Sequence, residues 1–282
     1  MKWNIIADSS CDMFDNQLQD DSVGFCTIPF YINVGNVEFV DDEHLDTGEL
    51  VAAMELCEDA SQTSCPSPYT WFEQFEKAEN SIAVTISGNL SGSYNSAKVA
   101  QQMIAEKYPE KNVAIIDSCS AGPELILIIE NIYQLIRAGM EFDDVVATTR
   151  RMQQHTHVTF ALCSFHNLIK NGRMNKYAGL LAGKLGFWGI GIGTEEGTIQ
   201  IKGKARGKKK AIAAIVDDIK ERAGVAKTVL ISHCHNRECA EMLAAAVREK
   251  WANAEVRIMP TRGLCSYYAE LGGLIVGFRD NV

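Results

Sequence analysis

Short apolar runs, each closed by a loop rich in hydroxyls or acids, alternate with stretches of helical spacing through the first half of this chain. That alternation constrains the fold more than any other feature. Residues 3–7 run into Asp8-Ser9-Ser10-Cys11-Asp12, and residues 81–86 into Ser87-Gly88-Asn89-Leu90-Ser91-Gly92-Ser93. Residues 113–116 run into Asp117-Ser118-Cys119-Ser120, and residues 25–32 form a further run. The intervening stretches carry helix signals. Asp46 and Glu49 form a capping-box pattern for a helix to about Leu56, and Ser67-Pro68 reads as N-cap and first helical residue. Residues 94–107 place Ala97, Val99, Ala100, Met103 and Ile104 at helical spacing; a mostly apolar helix follows from Pro123 to about Arg137, and a further helix from about Phe142 to Gln154. Strands separated by helices of this length predict a parallel sheet covered on both faces.

Beyond about residue 155 the pattern changes. A strand over 158–163 and a short helical piece precede Asn171-Gly172-Arg173. A glycine-rich stretch, 183–193, then turns through Glu195-Glu196-Gly197 into residues 198–201, the signature of a hairpin. A helix (209–222), strand (227–232), helix (237–251), strand (255–259) and final strand (274–278) follow. The expected architecture is α/β in two domains: an N-terminal three-layer parallel-sheet domain over 1–155 and a C-terminal mixed-sheet α/β domain over 156–282. A length of 282 residues with 46% hydrophobic content is ample for both cores.

No apolar run approaches the roughly 18 residues of a membrane-spanning helix, and the N-terminus carries no secretion signal. The nine cysteines are scattered with no C-x-x-C pair, which suits free thiols in a reducing compartment. The expectation is a soluble, cytoplasmic chain without stable membrane insertion. The net charge of −9 hides an asymmetry: six of the 27 basic residues fall within 202–210, leaving 21 bases against 36 acids elsewhere, a balance of −15. An acidic body repels phosphate backbones, so nucleic acid is not the expected partner, although the basic run marks a place where something anionic is met.

In a doubly wound sheet the strand-end loops share one edge, where ligands bind. Ser91-Gly92-Ser93 also opens a helix, whose unpaired first amides favour an anion, and Thr63-Ser64 adds hydroxyls before another. Capping alone explains any one of these residues; several at one edge predict an anion pocket. There is no P-loop, no dinucleotide-binding glycine motif and no nucleophile elbow. The pairs His155/His157 and His233/His235, the latter with Cys239, lack a zinc-site pattern, so no metal is expected. With no nucleophile–base pair, a binding protein leads. An enzyme using the serine-rich cleft, as hydrolase or small-molecule phosphotransferase, is the alternative.

Several blocks resemble the DegV family nearly end to end. Its opening D-S-x-x-D is Asp8-Ser9-Ser10-Cys11-Asp12, and its T-S-x-P-S is Thr63-Ser64-Cys65-Pro66-Ser67. The I-S-x-x-L-S-G-[ST]-Y-x-S-A block runs from Ile86 to Ala97; D-[ST] is Asp117-Ser118, G-R is Gly172-Arg173, and R-G-x-K-K-A begins at Arg206. The resemblance implies the EDD fold, with a ligand cleft between the domains that holds a long-chain fatty acid as the only bound group. It also implies no catalytic residue. By position, Thr63 and Ser91 would bind the carboxylate, and Ser64, Gly92, Ser93, Asp8, Ser9 and Tyr268 would line the pocket. Arg173 and Arg206 would be cations near the head group. Some members of the family present the acyl carboxylate to a separate fatty acid kinase. Two positions depart from the pattern: Tyr268 stands about where the family has a histidine, and Trp188-Gly189 where it has lysine–proline. The fold is shared with dihydroxyacetone-kinase subunits, which keeps the enzyme alternative open.

Overall fold

A computed structural model describes residues 2–18, 22–57, 61–175 and 186–280; the start of the expected glycine-rich stretch, 183–185, lies outside them. The first half contains β1 (Trp3–Asp8), β2 (Val23–Ile28), β3 (Tyr31–Val34), β4 (Val37–Val40), α1 (Thr47–Leu56), β5 (Ser61–Ser64), α2 (Pro68–Phe75) and β6 (Asn80–Thr85). It continues with α3 (Ser93–Lys107), β7 (Asn112–Asp117), α4 (Pro123–Arg137) and α5 (Phe142–Met152). The second half contains β8 (Thr156–Leu162), α6 (His166–Lys170), β9 (Phe187–Gly193), β10 (Ile199–Arg206), α7 (Lys208–Ala223) and β11 (Thr228–His233). After it come α8 (Arg237–Lys250), β12 (Glu255–Pro260), α9 (Gly263–Ala269) and β13 (Leu274–Arg279).

The first sheet is parallel throughout, in the order β2-β1-β6-β7. Its strands are buried on both faces, with period-two alternation. Ile5, Ala7, Ile82, Val84 and Ile116 pack toward α4 and α5, while Ile6, Ala83 and Ile115 pack toward α2 and α3. The second sheet has six strands, β10-β9-β8-β13-β11-β12, antiparallel except for the β11–β12 pair, and every strand lies beyond residue 155. The fold is therefore α/β with a parallel sheet and a mixed sheet. Helix α4 joins them: it packs on β1 and β6 from one side and on β8, β11 and β13 from the other. Residues 123–129 are all buried, which accounts for the unbroken apolar run Leu125-Ile126-Leu127-Ile128-Ile129.

The helix signals hold up locally. Asp46 accepts from the amides of Gly48 and Glu49 at the start of α1, and Ser67 accepts from Thr70 N at the start of α2. Two features were not legible. The run over 25–32 is two strands in different sheets, parted around Pro29, which has no amide to continue a ladder. Its second part, β3, joins β4 and β5 in a small antiparallel sheet. The other is α9, which the chain sends back from the second half to pack on α1 and β3. The Asp41 carboxylate accepts from Gly263 N and Leu264 N, both at 2.8 Å, at the start of α9. Buried Arg262 donates to the carbonyl oxygens of Asp41 and Met13 and stacks over Phe14.

Candidate functional site

An apolar cavity of roughly 810 Å³, part of it open to solvent, lies between the C-terminal edge of the parallel sheet and one face of the mixed sheet. On β8, the alternate residues Val158, Phe160 and Leu162 face it, beside Ile275 of β13 and Ile199 of β10. The opposite wall is built from strand-end loops: Phe30 after β2, Ile86, Leu90 and Ser91 after β6, and Cys119, Ser120 and Ala121 after β7. Thr63 of β5, Leu264 and Tyr268 of α9, and Leu168 and Arg173 from the α6 region close one end.

The bore of this cavity depends on β9, which alternates glycine with bulk. Trp188 and Ile190 pack into the core with Ala211, Ile212 and Ile215 of α7. Gly189 and Gly191 alternate with them, and a Cβ at either would collide with the ring of Phe165 or Phe160 respectively; one on Gly193 would sit 2.6 Å from Val158 Cγ1. Two rings thus lie against bare backbone, and a side chain at Gly191 would push on the Phe160 ring, which lines the cavity. Sequence reading found the glycine-rich strand but not this purpose, whose only signal is the spacing Gly189-x-Gly191-x-Gly193.

Polar groups gather at the closed end. Thr63 Oγ1 lies 2.9 Å from the Tyr268 hydroxyl, and on the same face of β5 Ser61 Oγ accepts from the Tyr267 hydroxyl at 2.8 Å. The two tyrosine rings meet edge to face at 85°. Burial pushes the Tyr268 phenol above its ordinary pKa, partly offset by the hydrogen bond to Thr63 and the nearby Arg173 guanidinium. Arg173 donates through Nε to Leu90 O at 3.1 Å and through Nη1 to Asn171 O, fixing its side chain beside the loop that carries Ser91. Ser91 Oγ accepts from Ser93 N. Thr63, Ser91, Arg173 and Tyr268 all line the cavity. Leu90, Ser91 and Arg173 also border a polar groove at the surface, where Gly92 sits.

The other sequence-derived site residues lie elsewhere. Asp8, Ser9 and Ser93 are completely buried behind the cavity wall. Asp8 accepts from Ser10 Oγ at 2.5 Å, from Ser93 Oγ at 2.6 Å and from Ile86 N at 3.0 Å, while Ser9 Oγ accepts from Phe30 N. Burial pushes the Asp8 carboxyl up to about 6 despite those hydrogen bonds. These groups tie strand-end loops to one another and have no hydroxyl left to offer a ligand. Ser64, one residue past Thr63, falls on the exposed side of β5, as strand alternation dictates. Arg206 is exposed at the end of β10, opposite Phe187 in the ladder and 5.8 Å from its ring centre, and does not line the cavity.

Nor do the serine loops form a nucleophile. Ser10 and Ser93 donate to Asp8, Ser87 to Gly197 O, Ser118 to Ser120 O and Ser120 to Glu124. Each of these hydroxyls is spent on a carbonyl or carboxylate, not aligned on a histidine base. The paired histidines diverge: His155 contacts Asp280, and His235 contacts Thr47. Among the described residues no three His, Cys, Asp or Glu side chains gather as a metal site, and no helix is long and apolar enough to cross a membrane.

Residues 2–279 match the family model described as uncharacterised protein, DegV family. A DegV domain-containing protein of Streptococcus pneumoniae is 38% identical over 278 residues, covering 99% of each chain. Among solved structures, the chain is similar to the S. pneumoniae Fatty Acid Kinase (Fak) B3 protein loaded with linoleic acid, with TM-score 0.97, 37% identity and full coverage of both chains. It is also similar to a DegV family protein from Eubacterium eligens loaded with heptadecanoic acid, with TM-score 0.94, 32% identity and coverage of 99% of this chain and 100% of that one.

Proposed function

The chain belongs to the DegV family, and on that footing we propose that it binds one long-chain fatty acid between domains placed at 1–155 and 156–282. The carboxylate sits among Thr63, Ser91, Tyr268 and Arg173, and the tail runs along β8. The observation that carries this reading is the gathering of two hydroxyls, a phenol and a guanidinium at one end of an otherwise apolar cavity. A carboxylate accepts strong, charge-assisted hydrogen bonds from such donors, and the tail removes its apolar surface from water against Phe160, Leu162 and Ile275. Thr63 and Tyr268 hydrogen-bond each other; a carboxylate placed between them takes a hydrogen bond from each.

The protein acts as a carrier, not a catalyst, and presents the acyl carboxylate to a separate kinase. The surface groove beside Ser91 and Arg173 supports this, since it shares Leu90, Ser91 and Arg173 with the carboxylate end of the cavity. Similarity to a fatty acid kinase B component supports it as well. The nine free thiols fit a reducing, cytoplasmic location.

The test is organic extraction of purified protein followed by mass spectrometry. A co-purifying or exchangeable fatty acid is expected, with occupancy falling in Thr63→Ala. Absence of any bound or exchangeable acid, with no difference between the two proteins, overturns the reading. Turnover of an acyl phosphate or of dihydroxyacetone by this chain alone would favour the enzyme instead.

A further inference from the structure

A second, polar pocket adjoins the far end of the apolar cavity. Along β8 the wall runs from Leu162, next to α6 and Arg173, to Val158, four residues or about 13 Å away. At that far end Cys119 and Gly193 line the cavity and also a second, polar pocket formed by Glu124, Gln153, Thr156, His157, Thr194 and Arg222. Arg222 marks the junction: Nη1 donates to Val158 O at 2.8 Å and Nη2 to Gly193 O at 3.4 Å, the carbonyls of the two residues that end the apolar wall. Its side chain is 19% exposed, and Nη1 also lies 3.5 Å from Asp218 Oδ2. Glu124 accepts from Ser120 Oγ and Thr156 Oγ1, one on each carboxylate oxygen, and Asp117 and Glu195 line the same pocket.

We propose that the cavity is a through-tunnel whose distal end, between Cys119 and Gly193, delivers the ω-terminus of the acyl chain into this polar vestibule, so that the ligand class includes ω-hydroxy fatty acids. This rests on the fatty-acid reading above and extends it to the opposite end of the ligand. In a blind apolar tunnel an ω-hydroxyl is buried without a partner. In a vestibule lined by Arg222, Gln153 and Thr194 it keeps water or gains a hydrogen bond.

The experiment titrates delipidated protein with saturated acids of 14 to 22 carbons and with their ω-hydroxy counterparts. For the longer chains the hydroxylated acid is expected to bind within about threefold of its parent, because its hydroxyl is never stripped of partners. A blind end predicts a penalty of about tenfold to a hundredfold at every length, the cost of an unpaired buried hydroxyl, and that result overturns the proposal. Gly193→Val narrows the passage and is expected to widen the gap between hydroxylated and parent acids to about tenfold or more. Gln154→Trp, at an exposed position on the vestibule wall, is the second variant should the first not fold, and it is expected to widen the gap in the same sense. An unchanged ratio in a folded variant overturns the proposal. If hexadecanoate itself does not bind, the fatty-acid reading falls and takes this one with it, whereas hexadecanoate binding with a blind-end profile removes the tunnel alone.

Discussion

Two clusters of hydroxyls and charges occupy the same edge of the parallel sheet and look alike in sequence. One, Thr63, Ser91, Arg173 and Tyr268, lines the cavity. The other, Asp8, Ser9, Ser10, Ser93, Asp41 and Arg262, lies behind it, almost completely buried and hydrogen-bonded within itself. The first holds donors whose alternative partner is each other or a neighbouring loop. The second is tied across segments: Arg262 N donates to Asp12, Ser93 to Asp8, and the first amides of α9 to Asp41. A ligand can displace a bond between two cavity-lining hydroxyls, but it cannot displace a buried carboxylate without disrupting the loops it holds.

The sharpest way to break that distinction is Asp41→Ala. It strands Arg262 as an unpaired buried cation, so unfolding free energy should drop by about 3–5 kcal/mol in denaturant titration. A loss below about 1 kcal/mol would mean that the second cluster is not structural.

The same cluster should make stability depend on pH. Burial raises Asp8 to about 6 and Asp12 to about 7, above the values these carboxyls have in the unfolded chain. Between about pH 4 and 7 the folded protein therefore holds protons that the unfolded chain has lost, and stability falls as pH rises through that window. Asp8 alone contributes on the order of 3 kcal/mol. Asp8→Asn should flatten the decline, measured as melting temperature against pH; an unchanged slope would assign the dependence to other groups.

Smaller effects probe the lining of the cavity. Gly191→Val pushes on the Phe160 ring and on Gln200 O. It should cost about 1–3 kcal/mol of stability and reduce fatty-acid capacity disproportionately. Thr63→Ala removes one donor and should weaken fatty-acid binding about tenfold with little change in melting temperature. Arg206→Ala, at an exposed position outside the cavity, should leave fatty-acid affinity within about twofold and stability within about 0.5 kcal/mol. A tenfold loss of affinity there would move Arg206 into the binding site.

Much of the fold was legible because local signals and global topology agree: Asp46 and Ser67 both act as N-caps, although Glu49 does not complete the capping box its spacing suggested. In the site, Thr63, Ser91, Arg173 and Tyr268 were all nameable from motifs, and the structure brings them together. The sequence could not separate them from Asp8, Ser9 and Ser93. Whether a serine faces a cavity or a carboxylate is decided by one step of strand or helix phase, as Thr63 and Ser64 show. The tunnel wall was invisible for another reason. Phe160 and Val158 are indistinguishable from core until the strand beside them is seen to lack side chains.

Helix α4 carries a consequence for how a ligand gets in. It is the common middle layer of both sheets, with seven successive residues enclosed, and Glu130 on its outer turns is clamped by both terminal nitrogens of Arg257 at 2.6 Å. Swinging the two halves apart would strip that helix from one of the two sheets, exposing an apolar face of each, and break the Glu130–Arg257 pair. Loading must therefore proceed by local yielding along the rim, so the exchange rate of the bound acid should follow side-chain substitutions at the rim and be insensitive to changes that stiffen the molecule as a whole.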